Sequence, residues 1–142
     1  MTDANKAIVH HWFDRVWNRG DEAAIDELLA PNVRTHGFAG PGSVTTGRDA
    51  FKEGHRLFHS AFSDIHVKLH HVIAEGNHVS AHWTATMKHT GDTLGFPATG
   101  KDVAFEGSSF TCIHNGQIVE GWNHMDFTHV TNELQAAALT AA

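Results

Sequence analysis

The sequence predicts a single α+β domain, with helices first and a long antiparallel meander afterwards. Three observations carry this reading. Apolar residues recur at helical spacing in the first twenty residues and again over residues 47–62. From Ile65 onward the pattern switches to strict alternation. Asn115-Gly116, the strongest short hairpin signal, then joins two long runs. A chain of 142 residues is a normal length for one domain and can bury a sizeable core. It contains no internal repeat, low-complexity tract or linker.

The first helix is expected from about Asp3 to Asn18, with Asp3 as its cap. Ile8, Val9, Trp12, Phe13, Val16 and Trp17 form one broad apolar stripe on it. Gly20 stops this helix. Asp21 opens a second, short helix that carries Ile25, Leu28 and Leu29 and ends at Pro31. Val33 to Phe38 reads as a short strand. Gly47 or Arg48 opens a third helix to about Phe62, with the stripe Phe51, His55, Phe58 and Phe62, so His55 lies on the apolar side.

Ile65, Val67, Leu69, His71 and Ile73 share one face of the next strand, and Val79, Ala81, Trp83, Ala85 and Met87 share one face of its neighbour. A three-residue loop, Glu75-Gly76-Asn77, pairs Ala74 with His78, Leu69 with Trp83 and Val67 with Ala85. A two-residue loop would set an apolar face beside a polar one, which disfavours it. In the last hairpin, Val103–His114 pairs with Gln117–Phe127. Opposing His114 and Gln117 puts Thr111 across from Glu120, Ser109 from Trp122, Gly107 from His124 and Phe105 from Asp126. One face then collects Glu120, Trp122, His124, Asp126, Ser109 and Thr111, and the other Glu106, Ser108, Phe110, Cys112, Asn123 and Met125. Neither face is cleanly apolar, as expected of a sheet with a pocket on one side and a partner subunit on the other.

Composition excludes several classes. The formal net charge is −6 and no basic run is present, which disfavours nucleic acid. No stretch approaches the ~20 apolar residues that span a bilayer, so no membrane partner is expected. The N-terminal segment is polar, then amphipathic, and reads as cytoplasmic. Cys112 is the only cysteine and reads as a small apolar filler. The 14 histidines make the protein's charge pH-sensitive. The Ala-rich tail, Gln135 to Ala142, is expected to fray.

VWNRGDEAAIDELLAPNVRTH resembles the opening of SnoaL-like and other NTF2-like domains, LGFPATGKDV resembles their loop before the third long strand, and NGQIVEGWNHMD resembles the closing hairpin of SnoaL-like ester cyclases. The resemblance spans about Ala7 to Thr128. It implies an NTF2-like cone, a curved antiparallel sheet wrapped around N-terminal helices with a deep cavity, and a homodimer built sheet to sheet. It also implies closure of a polyketide ring by intramolecular aldol chemistry, with a pocket carboxylate as acid and base and no cofactor or metal. Asp126, Glu120 and Trp122 match the closing-strand pattern. Family members often carry an acidic residue directly after the Trp, where this chain has Asn123.

A carboxylate in an apolar cavity can take a proton beside a carbonyl and return it to the alkoxide, because desolvation favours its protonated form. Asp126 is therefore expected as acid/base, with His124 and Glu120 assisting. The alternative is that Asp126 caps the exit from strand to helix and Glu120 lies in a dimer interface. Phe51, Phe58, Trp83, Phe105, Ser109, Trp122 and Asn123 are expected to line the ligand site. His36 and His55 are further candidates, although His55 reads equally as a buried neutral ring bonded to a carbonyl. His70 and His82 are expected opposite one another, with His66 and His78 on the same face. They read as a solvated or interface pair, since a catalytic zinc needs three protein ligands. Asp92 to Thr99 is a candidate rim or lid. Three functions compete: a cofactor-free cyclase, isomerase or related lyase acting on a hydrophobic carbonyl compound, a non-catalytic binder of a hydrophobic small molecule, and a structural or assembly partner whose main output is the dimer, which the mixed polarity of both hairpin faces disfavours.

Overall fold

The computed structural model describes residues 2–40 and 42–140. Helix α1 runs over Thr2–His11 and continues without a break as a π-helical segment, Trp12–Asn18. Helix α2 follows over Glu22–Leu28, then strands β1 (Leu29–His36) and β2 (Val44–Thr46), and helix α3 over Arg48–Ala61. Four long strands come next: β3 (Phe62–Glu75), β4 (His78–His89), β5 (Asp102–His114) and β6 (Gln117–Met125). Helix α4, Thr128–Thr140, closes the described chain.

The strands form one sheet in the order β2-β1-β6-β5-β4-β3. All neighbours are antiparallel except β1 and β6, which are parallel. The sheet is curved and unclosed, and its inner face packs on the helices. Val9, Val16, Ile25, Val33 and Phe51 are all buried at the centre of this core. Burying one such side chain contributes about 1.5–3 kcal/mol. No described helix is long and apolar enough to cross a membrane.

Local chemistry accounts for the helix ends. Asp21 caps α2, its carboxylate accepting from the Ala23 N–H at 3.0 Å. Asp3 lies inside the first turn of α1 instead of capping it, where its charge still favours the helix dipole. The last carbonyls of the π segment find side-chain donors on α3: His55 Nε2 donates to Val16 O at 2.7 Å and His59 Nε2 to Trp17 O at 3.2 Å.

Several expectations are corrected. Helix α2 stops at Leu28, so Leu29 and Pro31 belong to β1, and that strand ends at His36. Strand β2 was not expected, helix α4 was expected only as the element that Asp126 would cap, and Gln135–Thr140 is helical where fraying was expected; Ala141 and Ala142 lie outside the described residues.

The β3–β4 connection is a two-residue turn, with Glu75 opposite His78. Leu69 still faces Trp83, and Val67 still faces Ala85, because a bulge at His70 absorbs the slip. Beyond the bulge the faces exchange, so Val72 and Ala74 turn inward while His71 and Ile73 turn out, Ile73 being 68% exposed. His82 consequently pairs with His71, not His70.

The last hairpin opens as expected, with His114 opposite Gln117, but Val119 bulges. Ile113 faces Ile118, whereas Cys112 faces Glu120, Thr111 faces Gly121, Phe110 faces Trp122 and Ser109 faces Asn123. One extra residue moves every later β6 side chain to the opposite face from that expected.

Candidate functional site

The inner face of the sheet and the helices enclose a cavity of about 130 Å³. An engineered apolar cavity of about 150 Å³ admits benzene, so this space matches a single ring. Trp12, Phe13 and Trp17 from the first helix, Phe51 and Phe58 from α3, and Trp83 and Phe105 from the strands form its walls. Among the described residues, no Asp, Glu, His, Lys or Arg lines it.

One wall is polar. Ser109 and Thr111 on β5, Asn123 on β6 and Thr35 on β1 supply it. The groups are linked in series: Trp83 Nε1–H donates to Ser109 Oγ at 3.1 Å, Ser109 Oγ–H donates to Asn123 Oδ1 at 2.9 Å, and Asn123 Nδ2–H donates to the His36 carbonyl at 3.3 Å. The amide of Asn123 has two N–H groups, and this chain uses one. The second is a spare donor at the cavity wall. Thr111 and Thr35 spend their hydroxyl protons on the carbonyls of Val79 and Thr45.

A wider crevice of about 850 Å³ adjoins the cavity between the 37–43 loop, α3, the end of β6 and α4. The two spaces share Phe38, Phe58, Asn123, Met125 and Phe127. The join is tight because Gly37 (φ 77°) lets the chain press onto β6: a Cβ there would stand 2.4 Å from the Asn123 carbonyl oxygen. His36, Trp122 and His124 line the crevice, as does Leu94 from the 92–99 loop.

His36 is the most structured ionisable group at this mouth. Its Nε2 lies 2.7 Å from Glu120 Oε2, and its ring stacks on Trp122 with centroids 5.0 Å apart and planes within 3°. Parallel pairing of β1 with β6 produces this, since it sets Arg34 beside Glu120 and His36 beside Trp122. In the neutral ring, donation of Nε2–H to the carboxylate leaves the lone pair on Nδ1. Arg34 stands 3.9 Å from the same carboxylate oxygen.

The expected residues therefore divide. Phe51, Phe58, Trp83, Phe105, Ser109 and Asn123 line the inner cavity. His36 and Trp122 line the crevice. Glu120 and His124 are on the outer face with Trp122, because of the Val119 bulge. His124 is exposed, and Asp126 sits at the exit from β6 to α4, exposed, with its carboxylate 3.3 Å from His129 Nδ1. Neither reaches the apolar cavity. Only 2% of His55 is exposed, and it lines neither space. Burial pushes its pKa down, the bond to Val16 O opposing this, and its Nδ1 has no partner. His89 behaves alike: burial lowers its pKa and its Nε2 is unpartnered. Sequence reasoning passed over Thr35, Phe38, Thr111, Gly121 and Phe127 as lining residues; of these, Thr111 had a signal, its alternation with the expected Ser109.

The SnoaL-like polyketide cyclase family model matches residues 7–134. A search of curated protein sequences returns no match. Among solved structures, a candidate SnoaL-like polyketide cyclase from Jannaschia sp. CCS1 superposes with a TM-score of 0.85 at 22% identity, over 95% of this chain and 94% of that one. A candidate polyketide cyclase from Acidithiobacillus ferrooxidans gives 0.79 at 26% identity, over 95% and 96%. IdmH, a candidate polyketide cyclase from Streptomyces antibioticus, gives 0.76 at 22% identity, over 96% and 98%. With a family model covering nearly all of its sequence and the same fold in its structural relatives, this chain belongs to the SnoaL-like polyketide cyclase family.

Proposed function

We propose that the protein acts as a cyclase or isomerase on an apolar, ring-bearing carbonyl compound, with His36 as the base and Glu120 as the group that orients it. The supporting observation is the continuity of a ring-sized aromatic cavity with a crevice lined by His36, whose Nε2 is held by Glu120. An apolar ring fills the inner space, and the spare Asn123 N–H accommodates a carbonyl oxygen. Where the molecule extends past the cavity into the crevice, a proton beside a further carbonyl passes to His36 Nδ1 and leaves an enolate there. The enolate carbon then attacks a second carbonyl of the same molecule and the alkoxide formed takes the proton back from His36, or the enolate itself is reprotonated by His36 at another position. Acid and base lie at the mouth in this scheme, because the lining carries no ionisable group of its own. The same lack of ionisable lining supports a second reading, a binding protein for a hydrophobic ring compound. Exposed Phe110 and Ile73 on the outer sheet face support the homodimer that the family resemblance implies.

Proton exchange at the α-carbon of 1-tetralone in D2O, followed by NMR, separates the two readings without knowledge of the native substrate. The wild-type protein is expected to accelerate exchange, and His36→Gln to reduce the acceleration about 100-fold while 1-tetralone still binds. Gly121→Val is the control. Its added Cβ meets nothing closer than 3.8 Å, so the side chain projects into the cavity without a backbone clash and abolishes binding. Binding with no acceleration assigns the protein to the binding class.

A further inference from the structure

We propose that His71 and His82 form a chelating site for one divalent transition-metal ion on the outer face of the sheet, with Glu106 holding His82 in the ligating tautomer. The site is separate from the cavity and does not depend on the function proposed for it.

The two imidazoles come from adjacent strands directly opposite one another, and their Nδ1 atoms are 3.2 Å apart. Zinc–nitrogen bonds of 2.0–2.1 Å at a tetrahedral angle place two nitrogens about 3.3 Å apart. The other nitrogen of His82, Nε2, lies 3.4 Å from Glu106 Oε2, across the next strand. A ligating histidine commonly donates its second ring N–H to a carboxylate in this way, which fixes the tautomer and the ring orientation. With Nε2 protonated toward Glu106, His82 Nδ1 presents a lone pair. In the metal-free pair the His71 Nδ1–H fills the gap between the two nitrogens. An ion that enters takes the place of that proton, which is relocated through solvent to His71 Nε2, and bonds to both Nδ1 lone pairs.

The bulge at His70 creates this geometry. It turns His71 to the outer face opposite His82 and sends the neighbouring His70 ring to Thr84, with Nε2 2.8 Å from Oγ1. In the single chain His71 and Glu106 are exposed and the His82 side chain is half-exposed, so the ion's remaining positions are filled by water, or by a facing subunit where this sheet face meets one. Among the described residues no group of three or more His, Cys, Asp or Glu is placed to hold an ion. The site is therefore a two-ligand chelate and not a closed structural or three-ligand catalytic centre. Imidazole pairs select Zn²⁺, Ni²⁺ and Cu²⁺ over Mg²⁺ and Ca²⁺, with Cu²⁺ bound most tightly in the usual order.

Isothermal titration of the full chain, free of any histidine tag and in its native assembly, tests the assignment with ZnCl2, NiCl2 and MgCl2. One Zn²⁺ or Ni²⁺ per chain is expected, with no heat from Mg²⁺. His82→Ala and His71→Ala should each weaken zinc more than tenfold, Glu106→Gln about tenfold, and His70→Ala little. Circular dichroism melts of each variant confirm that the fold is retained. A thermal midpoint that rises on adding ZnCl2 to the wild type but not to His82→Ala gives a second readout. Zinc affinity unchanged by His82→Ala, or lost with His70→Ala and kept with His71→Ala, overturns the proposal.

Discussion

Gly54 on α3 and the ring of Phe38 occupy one another's space: a Cβ built on Gly54 would stand 2.5 Å from Phe38 Cε2. The ring is pinned there by stacking on Phe51, with centroids 4.4 Å apart, and by an edge contact with Trp17. The glycine in the middle of α3 therefore seats the aromatic residue that stands between cavity and crevice.

This fit predicts a change of sign. Glycine within a helix costs about 1 kcal/mol relative to alanine, whereas overpacking costs about 1–3 kcal/mol. Gly54→Ala should destabilise the wild type by about 1 kcal/mol, because the steric cost exceeds the helical gain. In a Phe38→Ala background the steric cost is gone, and the same substitution should stabilise by up to about 1 kcal/mol. Urea denaturation of the four proteins in this cycle gives the coupling directly.

His55 and His89 predict how stability responds to mild acid. Both have folded-state pKa values held below the ordinary histidine value, principally by burial. Above the unfolded value of about 6.5, both states are neutral and neither group affects stability. As the pH falls below it, the unfolded chain takes up protons that the folded chain refuses, so stability is lost. Each residue contributes up to about 1.4 kcal/mol per pH unit until its depressed pKa is reached. Unfolding free energies at pH 7.5 and 5.5 should therefore differ, and His55→Gln should narrow the difference. An unchanged gap means that His55 titrates freely in the folded protein.

Ser109 both accepts from Trp83 and donates to Asn123. Ser109→Ala leaves a buried indole N–H and an amide oxygen without their partner. A loss of about 1–3 kcal/mol is expected, and much of it should vanish in a Trp83→Phe background, where the orphaned donor is also removed. Thermal denaturation of the single and double variants measures this.

The element order was readable because the helical stripes and the strand alternation each persist over many residues. Asn115-Gly116 gave the His114–Gln117 pairing for the same reason, since the turn type fixes the first pair of a hairpin. What escaped were the single-residue bulges at His70 and Val119, which no local composition marks. Their consequence was large. Ser109 was placed on the cavity side because β5 alternates without interruption, while Glu120, His124 and Asp126 were set beside it on the far side of an uncounted residue. The mixed polarity found for both hairpin faces was itself the sign of a slip. Inserting Val119 as a bulge sorts Gly121, Asn123 and Met125 inward with Ser109 and Thr111. The His36–Glu120 contact was hidden more deeply, because it joins residues 84 positions apart through the one parallel pairing in the sheet.

The clasp between the π segment and α3 restricts how a guest molecule can come and go. With the Val16 and Trp17 carbonyls each held by an imidazole, the roof over the aromatic chamber is riveted to the helix beside it. Traffic is left to the crevice, past Phe38 and the adjoining Gly37, and a covalent tether fixing that turn to α4 should slow arrival and departure alike while leaving the chamber's shape intact.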